Sequence, residues 1–162
     1  MKETFITRGG IHVERVQETL ALETALDDVY RHIDRARGCI LASDYEYPGR
    51  YSRWDIGFID PSFELVSHGR DFSLRALNLR GNVMLEMLGA GIAGHGDVEN
   101  CRQDSGLISG RVRSMPHGFP EEKRSKQPSI FSVLRALCDQ MACEDEYLSM
   151  FGAFGYDLIF QF

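Results

Sequence analysis

Between Trp54 and Leu77 the chain alternates its residue types in three successive runs, and a sheet is the structure that satisfies such a pattern. Trp54, Ile56, Phe58 and Asp60 alternate with Asp55, Gly57 and Ile59. Phe63, Leu65 and Ser67 then alternate with Glu64, Val66 and His68, and Phe72, Leu74 and Ala76 with Ser73, Arg75 and Leu77. A period of two sends successive side chains to opposite faces of a strand. Pro61 ends the first run and Gly69-Arg70-Asp71 turns the second into the third. Connections this short join antiparallel neighbours, so the three runs are expected to form a meander.

Helices flank this region. Leu22, Leu26, Val29 and Ile33 recur at intervals of four, three and four, which predicts a helix over residues 19–37 with one apolar face. Gly38 suits a left-handed cap, and Arg35 and Arg37 suit the negative end of the helix dipole. Residues 39–43 read as a short buried strand, and residues 45–53 as a turn-rich insert around Pro48-Gly49. A short helix is expected over residues 82–88. Residues 89–106 hold five of the sixteen glycines and read as a flexible connection. Residues 107–113 suit a strand and 114–127 a polar loop. Ser129 is the expected N-cap of a further helix carrying Ile130, Leu134, Leu137 and Met141. Residues 151–162, almost wholly apolar, read as a central strand cut through by the end of the chain. No repeat of 20–50 residues is present. The order of elements predicts an α+β fold, a largely antiparallel sheet with flanking helices, in one domain over residues 1–162.

The net charge of −6 argues against nucleic acid, which needs clustered Lys and Arg. The beginning of the chain carries no apolar segment of the kind a secretory signal needs, and no run of apolar residues is long enough to span a membrane. Cys39, Cys101, Cys138 and Cys143 form no Cys-x-x-Cys pair. Cys39 and Cys138 fall in apolar patterns typical of buried free thiols, so reduced cysteines in a cytoplasmic protein are expected.

Motifs for local chemistry are sparse. His12, His32, His68, His95 and His117 stand singly, without the convergence a zinc site demands. Gly89-Ala90-Gly91-Ile92-Ala93-Gly94 matches Gly-x-Gly-x-x-Gly literally. It lacks the preceding buried strand that a dinucleotide-binding turn requires, and reads as loop. Glu121-Glu122-Lys123-Arg124 is a solvated charge run. The cluster of Tyr45, Tyr47, Arg50, Tyr51, Arg53 and Trp54 can stack on a flat ligand, hold a carboxylate, or brace a turn against another domain.

Two stretches, YEYPGRYSRWD over residues 45–55 and FGAFGYDLIFQF over residues 151–162, resemble the amino-terminal region of anthranilate synthases, component I, of the type fused to a glutamine amidotransferase. Arg8-Gly9-Gly10-Ile11, Ala76-Leu77-Asn78 and Arg80-Gly81 match the same group. The resemblance implies an incomplete portion of the component I fold. It also implies an enzyme that converts chorismate and glutamine or ammonia to anthranilate and pyruvate on the way to tryptophan. Mg²⁺ is implied for the full enzyme, with the chorismate and metal ligands in a later region, so no catalytic residue is expected here. The implied partners are that chorismate-binding domain and the amidotransferase. An apolar strand over residues 151–162 with an uncovered edge or face is an association hazard, so a homo-oligomer is expected. Part of the family's tryptophan feedback site also belongs to the amino-terminal region. Its Leu-Leu-Glu-Ser element falls on Leu41-Ala42-Ser43-Asp44, with Ser43 and Asp44 where the family has Glu and Ser. Asp44 then becomes the acceptor for the ligand's ammonium, with Leu41 and Trp54 beside the indole. Two alternatives stay open: a related chorismate-using enzyme of secondary metabolism, and a stand-alone amino-acid-binding module.

Overall fold

The computed structural model describes residues 1–42, 55–115, 127–156 and 158. The chain divides into two compact units, Met1–Gln17 with Ser62–Phe162, and Glu18–Pro61. The fold class is α+β, with three helices and antiparallel sheets among the described residues.

The larger unit is built on a four-stranded sheet of β5 (Phe63–His68), β6 (Asp71–Ala76), β7 (Val98–Asp104) and β8 (Leu107–Val112), in the order β5-β6-β8-β7. Leu74 on β6 lies opposite Leu65 on β5 and Ile108 on β8. Alternation therefore gathers Phe72, Leu74, Ile108 and Val112 on one face. Two helices, α2 (Leu79–Ala93) and α3 (Ile130–Met141), cover that face with Leu85, Leu88, Ile92, Val133 and Leu137. The opposite face carries polar pairs such as Asp71 with Arg111, the usual division for an antiparallel sheet.

Residues 89–106 are not the flexible connection their glycines suggested. Helix α2 extends well beyond residues 82–88 and takes in the Gly-x-Gly-x-x-Gly stretch as far as Ala93, with Gly94 as its C-cap, and β7 follows it. Two of these glycines are spaces for side chains. A Cβ on Gly89 would lie 2.0 Å from Oε1 of Gln103, and one on Gly91 2.3 Å from Oε1 of Gln140. The helix starts cleanly because Asn78 has extended backbone and accepts from the Gly81 N–H through its side chain at 3.1 Å. Ser129 likewise occupies the N-cap of α3, and the apolar spacing beyond it buries Ile130 and Leu137 as expected.

The first residues form a hairpin that the sequence reading lacked, β1 (Lys2–Ile6) paired with β2 (His12–Val16). Its turn is closed by Gly10, whose φ of 82° lies where only glycine is unstrained. The turn also finishes α3. Gly9 N–H donates to the Gln140 carbonyl at 2.7 Å and Arg8 N–H to the Ala142 carbonyl at 2.8 Å. Carbonyls at a helix C-terminus have no partner within the helix, and here a distant turn supplies the donors.

The smaller unit holds α1 (Leu22–Ile33), β3 (Gly38–Ala42) and β4 (Asp55–Ile59). The helix is shorter than residues 19–37. Its C-cap is Asp34, and Gly38 opens β3 instead of capping in the left-handed region. The expected three-strand meander is also corrected. β4 pairs with β3, and only β5 and β6 form a hairpin of the meander. Alternation identifies a strand, but its partner is chosen by long-range packing.

Phe151–Tyr156 form no strand, contrary to expectation. Phe154 and Tyr156 are exposed, although Phe154 leans on Phe131 with ring centroids 5.2 Å apart. Among the described residues they pair with none of the strands, so their backbone joins no ladder. Residues 157 and 159–162 lie outside the described residues.

Candidate functional site

The site that the resemblance implies begins on the β3–β4 hairpin. The register runs from Gly38 opposite Ile59 to Ala42 opposite Asp55, so the segment of residues 43–54 leaves from and returns to one cross-strand pair. Leu41 faces Ile56 across the strands, and the two are 50% and 39% exposed. Neighbouring side chains at such a pair stand about 5 Å apart, so they form one open apolar patch at the mouth of that segment. Residues 39–43 were expected to be buried. Cys39 and Ile40 are half-buried, and none of the core residues falls between Glu18 and Pro61 among the described residues. Ser43, Asp44 and Trp54 lie outside the described residues, as do Tyr45, Tyr47, Arg50, Tyr51 and Arg53. Of the implied site, Leu41 and Ala42 are therefore placed, at the closing end of the hairpin.

Elsewhere the chemistry is structural. Ser132 Oγ donates to Asp97 Oδ2 at 2.6 Å, and Asp97 N–H donates to His95 Nδ1 at 3.2 Å. A serine activated for attack needs its proton taken by the histidine. Here the carboxylate takes the serine hydroxyl's hydrogen bond, and the histidine accepts from backbone. The set therefore ties the start of α3 to the connection between α2 and β7. Among the described residues no three His, Cys, Asp or Glu side chains converge on a point where a metal ion could sit. No helix among them is long and apolar enough to cross a membrane.

The four cysteines are free. Cys138 is exposed on α3 rather than buried, because it falls off the apolar stripe of Leu134, Leu137 and Met141. Burial pushes the Cys101 thiol above its ordinary value, which keeps it protonated and a poor nucleophile. Among the described residues, one open cleft of about 380 Å³ lies beside β1 and a second of about 440 Å³ beside the β7–β8 turn. The second is lined by Asn82, Glu86, Gln103 and Asp104.

One concentration of charge escaped the sequence reading. Arg15 pairs with Asp145 at 2.7 Å and with Glu3, and its guanidinium lies over the rings of Tyr147 and Phe5, 4.7 and 5.4 Å from their centroids. A cation at an inward position of β2 was the available signal, since Val13 and Ile11 precede it at the same parity.

No established family profile and no solved structure matches the chain. A search of characterised proteins finds an anthranilate synthase from Azospirillum brasilense, 43% identical over 159 residues, which are 98% of this chain and 22% of that protein. The chain thus spans about a fifth of the length of the relative it matches. Over nearly its whole length, this chain is related by sequence to anthranilate synthase.

Proposed function

We propose that the chain is the amino-terminal regulatory and structural portion of an anthranilate synthase, the lyase that converts chorismate and glutamine or ammonia to anthranilate and pyruvate in tryptophan biosynthesis. The observation that carries this reading is the 43% identity extending over 98% of the chain. On this reading the chorismate-binding domain, the Mg²⁺ it uses and the amidotransferase belong to the rest of a longer cytoplasmic, homo-oligomeric protein. The chain by itself is inactive. Its share of regulation is part of a tryptophan feedback site at Leu41, Ala42, Ser43, Asp44 and Trp54. The exposed Leu41–Ile56 patch supports it, because an indole needs an apolar surface that is not already filled.

Two measurements test it. The purified chain, given chorismate, ammonia and Mg²⁺, should produce no anthranilate fluorescence, whereas the full-length protein should. Calorimetric titration of tryptophan into the full-length protein and its Asp44→Ala variant should show a loss of roughly ten- to a hundredfold in affinity, the size of a charge-assisted hydrogen bond. Equal affinities would remove Asp44 from the site. Anthranilate formed by the chain alone would overturn its assignment as a non-catalytic portion.

A further inference from the structure

We infer that the N-terminal hairpin is a latch held shut by Arg15, whose release frees the stretch following α3 while the sheet and its helices stay folded. Glu3 and Arg15 are cross-strand partners, so the hairpin itself presents the guanidinium to its own carboxylate. The other end of the guanidinium reaches Asp145, whose side chain is only 3% exposed. Asp145 Oδ1 also accepts from the Tyr147 N–H at 2.8 Å, and the Tyr147 ring covers the Arg15 cation. A single side chain therefore fixes Glu3, Phe5, Asp145 and Tyr147 together. Arg8 adds an exposed ion pair with Asp139, beside the two backbone bonds from the turn to Gln140 and Ala142.

These ties are polar almost throughout. Of the hairpin and its turn, Ile11 alone supplies a fully buried apolar side chain, with Val13 partly buried against the core. Neither strand packs broadly on another element among the described residues. An isolated two-stranded hairpin is marginal in water, so its place on the fold depends on what fastens it. Core strands and a polar-tied appendage open with different free energies, and the appendage opens first. Without the guanidinium, Asp145 is left as a buried carboxylate lacking its cation. The segment around it then moves out to water, because an unpaired buried charge is strongly unfavourable.

Amide hydrogen exchange on the purified chain reads this directly. The Arg8, Gly9 and Tyr147 amides report the closed latch, and the amides of β6 and β8 report the core. In Arg15→Met, which keeps the stem and loses the N–H groups, the three latch amides should exchange about tenfold faster or more with the core amides unchanged. Arg15→Lys should not rescue, because an ammonium cannot bond two carboxylates and lie flat between two rings. Glu3→Gln, at the less buried end, should give a smaller acceleration confined to the same amides, and keeps the test open if Arg15→Met fails to fold. Acceleration of core and latch amides together, or unchanged latch amides in these variants, overturns the inference.

Discussion

Replacing Gly81 by alanine sets a favourable local term against an unfavourable contact, and the structure decides between them. In an exposed helix interior the exchange stabilises by roughly 1 kcal/mol, since glycine gives up more backbone freedom on folding. Position 81 is buried. A Cβ there would fall 1.8 Å from the Ser62 carbonyl oxygen and 2.9 Å from its carbon, both backbone atoms. That oxygen already accepts from the Leu77 N–H at 2.9 Å, so moving it disturbs the hydrogen bond leading into α2. Overpacking of this kind costs about 1–3 kcal/mol, and the weakened hydrogen bond adds about 1 kcal/mol. The net expectation is a loss of about 1–3 kcal/mol. Gly91→Ala is the internal control, because its nearest obstacle is the end of the Gln140 side chain, which can turn away. There the helix gain should nearly offset the displacement, leaving a change within about 1 kcal/mol. Urea unfolding measures both, read from the midpoint at constant slope. A Gly81→Ala variant as stable as the parent, or less perturbed than Gly91→Ala, would refute the reasoning.

Leu74→Ala should cost about 2–5 kcal/mol by the same assay, since Leu74 is wholly buried between β5 and β8 beneath α2. A change below about 1 kcal/mol would show that the core collapses around the lost volume. The cysteines should separate by alkylation at mildly alkaline pH. The thiolate is the reacting form, so Cys138 should label first, and Cys101, with its pKa raised by burial, should label last until denaturant is added. Equal rates in the native protein would contradict the burial of Cys101.

Elements with an unambiguous period were legible in the sequence. α3 appears where Ile130, Leu134, Leu137 and Met141 predict it, β5 and β6 match their alternation, and β8 lies within the strand expected over residues 107–113. Glycine misled where it provides space for packing. The run from Gly89 suggested flexibility, but Gly89 and Gly91 are notches that receive Gln103 and Gln140. Those two glutamines come from β7 and α3, so no local window could reveal them. Strand partners were hidden for the same reason, as β4 shows by turning back on β3. The first hairpin was missed because its inward positions include Glu3 and Arg15, and their charges conceal an alternation that Phe5, Val13 and Ile11 carry only weakly. Of the implied ligand site, Leu41 and Ala42 could be located on a strand from their apolar run. The exposure of Leu41 could not, because it depends on what packs against the hairpin.

The cap that the first turn places on α3 joins residues 131 positions apart along the chain, as the Arg8–Asp139 pair records. During synthesis the hairpin emerges long before the residues that receive it. At roughly 5–20 residues per second, the ribosome needs on the order of ten seconds to make the intervening chain. Throughout that interval β1 and β2 have neither Asp145 to hold Arg15 nor carbonyls to receive the turn, and a lone hairpin is marginal. The hairpin is thus among the last parts of the larger unit to settle, and its docking closes a loop of about 130 residues.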